Sequence, residues 1–170
     1  MTRFSAGFLC LLALGVVPLV CWEAIRLLLR DRKRAHIARK VALPAGNYRV
    51  IESDAVAAWC HGIWLPEVYV STGLIDQFDE YDVQIILAHE HAHALRYDNL
   101  TAYVMHCLTL IWGKSARREI RADFAIACEQ ACDAVAARFA AGDFGQVSQA
   151  LQRFASHQRP DATQGTEPQG

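Results

Sequence analysis

The run Ala88-His89-Glu90-His91-Ala92-His93 constrains this chain more than any other stretch. It contains His-Glu-x-x-His, with His89 and His93 one helical turn apart. Residues at i and i+4 lie on one helix face, so both imidazoles can reach a single metal ion. Glu90 is turned by about 100° from His89, so its carboxylate can address a water at that metal without being a ligand. Just ahead, Val83-Gln84-Ile85-Ile86-Leu87-Ala88 supplies the apolar side of a buried helix. A His-rich surface helix without metal is the alternative reading of the motif taken alone.

A tetrahedral catalytic zinc takes three protein ligands and leaves the fourth position to water. The best third candidate is Glu129, in Ala127-Cys128-Glu129-Gln130-Ala131-Cys132-Asp133. This segment reads as an Ala-rich helix, with Asp133 one turn beyond Glu129 on the same face. A carboxylate there can accept the second N–H of a ligating histidine and fix its tautomer. Without His89 and His93, Glu129 and Asp133 would be an ordinary acidic pair on a solvated helix.

His89-Glu90-x-x-His93 followed by Asp98, then Glu129-x-x-Cys132-Asp133, resembles the zinc metallopeptidases of the BlaR/MecR antirepressor type, which belong with the gluzincins. Upstream, the segment from Trp59 to Leu74 is similar to that family's stretch before the zinc helix, and the likeness covers about residues 48–140. The membrane-bound HtpX and prenyl-protein peptidases share both zinc motifs but match the upstream segment less well. The resemblance implies an α+β, mainly helical fold with a zincin-like metallopeptidase core and a small β-sheet. It implies one Zn2+ per chain on His89, His93 and Glu129, with Glu90 as catalytic base. By the same likeness Asp133 orients His89, and Asp98 fixes the end of the zinc helix or supports a ligand. The 59–71 region is either an edge strand that pairs with extended substrate or a plain structural hairpin. The full regulators carry several membrane spans and often an extracellular sensor domain, whereas one span and no sensor are expected in these 170 residues. No Ser-x-x-Lys acylation motif is present, so β-lactam sensing is not carried over.

The hydrophobic content of 53% exceeds the usual 45–50%. Phe4 to Trp22 carries no charged residue and is long enough to cross about 30 Å of hydrocarbon as a helix. The alternatives are a cleaved signal peptide or a buried core helix, but Pro18-Leu19-Val20-Cys21-Trp22-Glu23 lacks a small-residue cleavage site. An uncleaved N-terminal transmembrane helix is therefore expected. Arg26, Arg30, Arg32, Lys33, Arg34, Arg39 and Lys40 follow the span and only Arg3 precedes it. That asymmetry predicts a single-pass protein of the inner membrane with its catalytic domain in the cytoplasm. The basic helix from Glu23 to Lys40 is either solvated or in contact with anionic lipid headgroups. The six cysteines show no secreted-framework spacing, which agrees with a reducing compartment. Cys128 and Cys132 are a metal pair or, on the simpler reading, small buried side chains. A net charge of −1 makes no case for a nucleic-acid partner.

The expected organisation is an anchor and juxtamembrane helix over 1–40, a metallopeptidase domain over 41–158 and a disordered tail over 159–170. Pro44-Ala45-Gly46-Asn47 is a turn, and Tyr48–Ile51 and Val68–Ser71 suit strands. The acids of Asp76–Asp82 cap the zinc helix. Leu100–Trp112 is read as a buried helix under the zinc site, with a membrane-contacting helix as the alternative. Further helices are expected from Ala116 to Ala141 and near Gln146–His157. No residue is assigned to the oxyanion, for which His61, Tyr103 and His106 are the candidates. The whole predicts a membrane-anchored zinc endopeptidase acting on a protein or peptide substrate, with a role in regulatory proteolysis. The rival readings are a non-catalytic zinc protein serving as an interaction partner and a metal-free membrane scaffold. Substrate identity and oligomeric state are not legible.

Overall fold

The computed structural model describes residues 2–158, with side-chain surroundings from residue 15 onward. The expected tail over 159–170 lies outside the described residues. Four short strands form one mixed sheet: β1 (Leu43–Ala45), β2 (Tyr48–Ile51), β3 (Ala58–His61) and β4 (Glu67–Ser71). Their order is β1-β2-β4-β3, so β3 is an edge. Pairs β1/β2 and β3/β4 are antiparallel, whereas β2 and β4 run parallel, with Tyr48 opposite Val68. The expected strands over 48–51 and 68–71 are present. Of the other two, β1 runs into the segment read as a turn, and β3 overlaps the 59–71 region read as an edge strand or a hairpin. Gly46, at φ 70°, makes the β1–β2 reversal in a region of backbone space that glycine enters without strain. Gly62 does so between β3 and β4 at φ 109°, where a Cβ would meet the Leu65 carbonyl oxygen at 2.5 Å.

Six helices accompany the sheet: α1 (Thr2–Val41), α2 (Thr72–Gln77), α3 (Glu80–Leu95), α4 (Asp98–Leu108), α5 (Lys114–Phe139) and α6 (Phe144–Gln158). The core is organised by α3. On one side Val83 and Ile86 join Val68, Val70, Leu74, Phe78 and Phe154, which closes α3 and α6 over the sheet. On the other side Ile85 packs against Ala136, Ala137 and Ala140 of α5 and Val147 and Ala150 of α6. Ile85 and Ile86 are both 0% exposed, and full burial of such a side chain contributes about 1.5–3 kcal/mol. The alanines of α5 let the two helix backbones approach closely.

The transmembrane part of the expected fold class is corrected. Helix α1 continues through 40 residues, and among the described residues no helix is long and apolar enough to cross a membrane. The first part of the stretch Phe4–Trp22 lies outside the residues with described side chains. The remainder, Gly15–Trp22, gives way at once to Glu23 and Arg26 and then to the charged run Arg30–Arg34. No apolar run of about 20 residues therefore exists among the described side chains. The helix docks through polar contacts. Asp31 accepts a hydrogen bond from the Ile63 N–H at 3.2 Å, and Arg39 donates to Glu67 at 3.1 Å. The expectation for Leu100–Trp112 is also revised. Within α4 only Asp98 is buried, and Val104, Leu108, Ile111 and Trp112 are exposed.

Candidate metal centre

Helix α3 starts where Asp79 caps it, its carboxylate accepting from the Asp82 N–H at 2.8 Å. Glu80 and Asp82 place further negative charge in the first turn, where the helix dipole favours it. The buried Ile85 and Ile86 set the rotation of the helix, and His89 and His93 follow on its inward side at one-turn intervals. His89 is buried and His93 half-buried. Opposite them runs α5, fixed by Cys132, Ala136 and Ala137, all 0% exposed. That phase turns Glu129 and Asp133 toward α3.

Three ligand-type groups converge. His89 Nε2 and His93 Nε2 are 3.2 Å apart. Glu129 Oε2 lies 3.3 Å from His89 Nε2, and Glu129 Oε1 lies 3.6 Å from His93 Nε2. Ligand bonds of about 2.0–2.1 Å to zinc give tetrahedral edges of about 3.3–3.4 Å, so the spacing matches a shared ion. These three residues form a group able to hold a metal.

The outer nitrogens explain why the inner ones face each other. His93 Nδ1 is 2.9 Å from Asp98 Oδ2, and His89 Nδ1 is 3.0 Å from Asp133 Oδ1. The His89 contact is close but poorly aligned, so that nitrogen has no well-formed hydrogen bond. With protons on both Nδ1 atoms, both Nε2 atoms present lone pairs beside an acceptor-only carboxylate. Such an arrangement is stable only around positive charge. Accordingly, Glu129 is held well below the usual carboxylate range by its contacts with His89 and His93. His93 is pushed up to about 8, chiefly by the Glu129 contact and against the effect of burial. The donor set therefore fits a cation.

Asp98 is the best-embedded of the four carboxylates around the pair. It also accepts from Arg96 Nε at 3.2 and 3.3 Å and from the Cys132 thiol at 3.6 Å. Tyr97, at φ 54°, makes the sharp α3–α4 reversal that swings Asp98 back onto His93. Burial, followed by the Asp98 charge, pushes the Cys132 thiol up to about 12. Cys132 is thus a buried thiol donor to Asp98, and Cys128 does not join the metal-capable groups.

Glu90 sits beside the pair rather than in it. Burial raises its carboxyl above the ordinary range, although His89, His93 and a backbone hydrogen bond from Cys60 oppose the rise. It thus bridges α3 to the edge strand β3. Asn99 Nδ2 donates to the Cys60 carbonyl at 3.2 Å and clamps the same residue from the other side. A groove of about 880 Å3 opens here between β3, the His-Glu-x-x-His turn, Glu129 and Asp133, and is closed by α6. The α6 wall presents Phe144, Val147, Ser148, Leu151 and Gln152.

The structure thus brings together His89, Glu90, His93, Asp98, Glu129 and Asp133. It does not bring in His61, Tyr103 or His106, which are absent from the groove lining. His61 Nε2 faces Asp31 at 3.5 Å, and His106 Nε2 faces Glu23 at 3.8 Å. Sequence reasoning missed Asn99, the Cys60 backbone and the α6 wall. The apolar positions 144, 147, 151 and 154 at helical spacing were the available signal for that wall.

A metal-capable His/His/Glu set on two helices beside a sheet edge suits a metallopeptidase. The family comparison agrees: the model of Peptidase family M48 matches residues 29–156. The chain belongs to peptidase family M48, whose members are zinc metallopeptidases. A peptidase family implies a protein or peptide substrate. The match does not extend to the BlaR/MecR type. No curated protein matches the chain.

Proposed function

We propose that this chain is a zinc-dependent endopeptidase in which His89, His93 and Glu129 hold the metal and Glu90 is the general base. The observation that carries the reading is the convergence of two Nε2 atoms and one carboxylate at 3.2–3.6 Å, with the half-buried carboxylate of Glu90 adjacent. When bound, zinc supplies Lewis acidity to a water and to the scissile carbonyl. Glu90 takes the proton of the attacking water and later delivers it to the leaving amine. Burial raises the Glu90 pKa above the ordinary carboxylate range, the direction that strengthens a carboxylate as a base. Asp98 holds the Nδ1 proton of His93 and Asp133 faces Nδ1 of His89 at 3.0 Å, and carboxylates so placed keep the Nε2 lone pairs free for the metal. A peptide laid along β3 enters the groove between this strand and α6. Cys60 has its N–H committed to Glu90 and its carbonyl to Asn99, so Ala58 offers the next backbone pairing site. Similarity of Trp59–Leu74 to the antirepressor type supports a narrow, regulatory substrate choice over general degradation.

Glu90→Gln tests the assignment because it is nearly isosteric and leaves the imidazoles in place. Zinc content is expected to stay unchanged while peptide cleavage falls by about 10²–10⁴-fold. Equal cleavage by both forms at equal zinc content would remove Glu90 from the chemistry.

A further inference from the structure

Helix α5 carries its metal-facing carboxylates on one stripe, and the same stripe continues toward the helix start as cations. Counting back from Glu129 in steps of three and four residues reaches Ala125, Arg121, Arg118 or Arg117, and Lys114. These four basic residues line a cleft of about 570 Å3 between α4 and α5. Its inner end is formed by His93, Asp98, Asn99 and Glu129, and three of these, His93, Asn99 and Glu129, also line the metal groove, so the two spaces adjoin. The interleaved acids Glu119 and Asp123 lie off the stripe and do not line the cleft.

The arrangement is unfavourable for an isolated helix. None of the four cations has an ion-pair partner among the described residues. Like charges three and four residues apart repel. Lys114 and Arg117 also stand at the positive end of the helix dipole, where no acidic residue occupies the first turn and no side chain caps the helix. An anion bound in the cleft would relieve each of these costs. The metal groove is lined by Glu90, Glu129 and Asp133, which repel a peptide's acids, whereas the cleft sets four cations against the two carboxylates Asp98 and Glu129.

We infer that the cleft at the start of α5 is a substrate subsite for a carboxylate, held by Lys114, Arg117, Arg118 and Arg121 while the neighbouring peptide crosses the metal groove. The subsite deepens the peptidase reading above and rests on it. Arginine offers a carboxylate two parallel N–H donors, and the groove's own carboxylates direct the acid to this end of the peptide. The carboxylate is an Asp or Glu side chain or the free C-terminus of a short substrate.

The test uses the full chain carrying Glu90→Gln, so that cleavage does not intrude, and reads peptide binding by fluorescence anisotropy. The probes are an Asp/Glu-containing peptide, its Asn/Gln counterpart, and each of these with an amidated C-terminus. The acidic peptide is expected to bind about tenfold more tightly than its amide counterpart, with the contrast shrinking in about 0.5 M salt. If amidation rather than Asn/Gln substitution weakens binding about tenfold, the bound group is the C-terminal carboxylate. Arg117→Gln with Arg121→Gln should cut the contrast to about twofold, whereas Arg117→Lys with Arg121→Lys should keep most of it. Parent binding that responds neither to Asn/Gln substitution nor to amidation overturns the subsite, as does a contrast that survives the Gln pair. Loss of phosphatidylserine-vesicle binding in the Gln pair, with peptide discrimination unchanged, would assign the cations to a membrane surface and also overturn it. Charge discrimination without any cleavage by the Glu90-containing chain would sink the peptidase reading alone.

Discussion

Helix α5 and helix α1 attach to α3 and the sheet in opposite ways. The α3–α5 seam joins apolar packing and chemistry in one contact, because Ile85 meets Ala136 and Ala137 a short way along from where His89 meets Glu129 and Asp133. Helix α1 instead touches the body through separate polar pairs, Asp31 with the Ile63 N–H and Arg39 with Glu67. The difference teaches where metal geometry is secured. Ligand positions on α3 and α5 are set by a close-packed interior that resists small displacements, whereas α1 is held by partly exposed charges.

The largest effect expected from this contrast is on stability. Ile86→Ala removes a side chain that is 0% exposed, and it should destabilise the protein by about 2–5 kcal/mol in urea unfolding. A loss below about 1 kcal/mol would mean that α3 is not the core element described above.

Next come the carboxylates behind the histidines. Asp98 is buried with three donors, and Asp133 has a side chain 49% exposed with poor alignment to His89. Asp98→Ala should therefore weaken zinc binding by about 10–100-fold, and Asp133→Ala by less, in competition with a chromophoric chelator. The reverse ranking would make Asp133 the stronger support of the metal ligands and contradict the role given to Asp98.

The seam was legible in the sequence because its information is local. The His89/His93 spacing and the Glu129/Asp133 spacing each follow from one helical turn, and an Ala-rich partner helix is visible as such. The Asp98–His93 pairing was not legible as a contact. It depends on Tyr97 adopting φ 54°, a conformation that nothing about tyrosine favours. Strand β3 was legible only as part of the 59–71 region, an edge strand or a hairpin, because Ala58-Trp59-Cys60-His61 is short and borders Gly62, and its strand character comes from pairing with β4. The apolar run Leu100–Trp112 predicted a buried helix, yet its largest apolar side chains are exposed. Burial there depends on which neighbours arrive, and α4 receives few. Likewise the charge-free stretch near the N-terminus suggested a membrane-spanning start to a helix over 1–40. A helix runs through this region, but among the described residues none is long and apolar enough to cross a membrane, and its later part makes the polar contacts of Asp31 and Arg39.

At the α1 end the expected effects are small. Arg39→Gln should cost at most about 1 kcal/mol, as for other partly exposed pairs, and leave zinc affinity unchanged. A measurable loss of zinc would show that α1 helps to set the metal geometry after all.

The smallest effect is its pH dependence. Burial raises the Glu67 pKa, but hydrogen bonds from Arg39 and Tyr69 and the nearby arginine charges outweigh it, so Glu67 ends below its ordinary value of 4.5. A depressed folded-state pKa contributes stability that is present above 4.5 and lost as the pH falls through the folded value. Acid unfolding of Arg39→Gln should therefore show a shallower pH dependence in that window than the parent. Identical profiles would remove the Arg39–Glu67 pair from the account.

The central claim, that α3 and α5 together build a metal centre, is tested most directly by zinc content and affinity measured on the parent chain and on Glu129→Ala side by side. The account predicts about one zinc per chain in the parent. It predicts loss of most of that zinc in Glu129→Ala, with folding retained because the Glu129 side chain is 60% exposed. Zinc bound as tightly by Glu129→Ala as by the parent would contradict it, because the third ligand would then lie elsewhere.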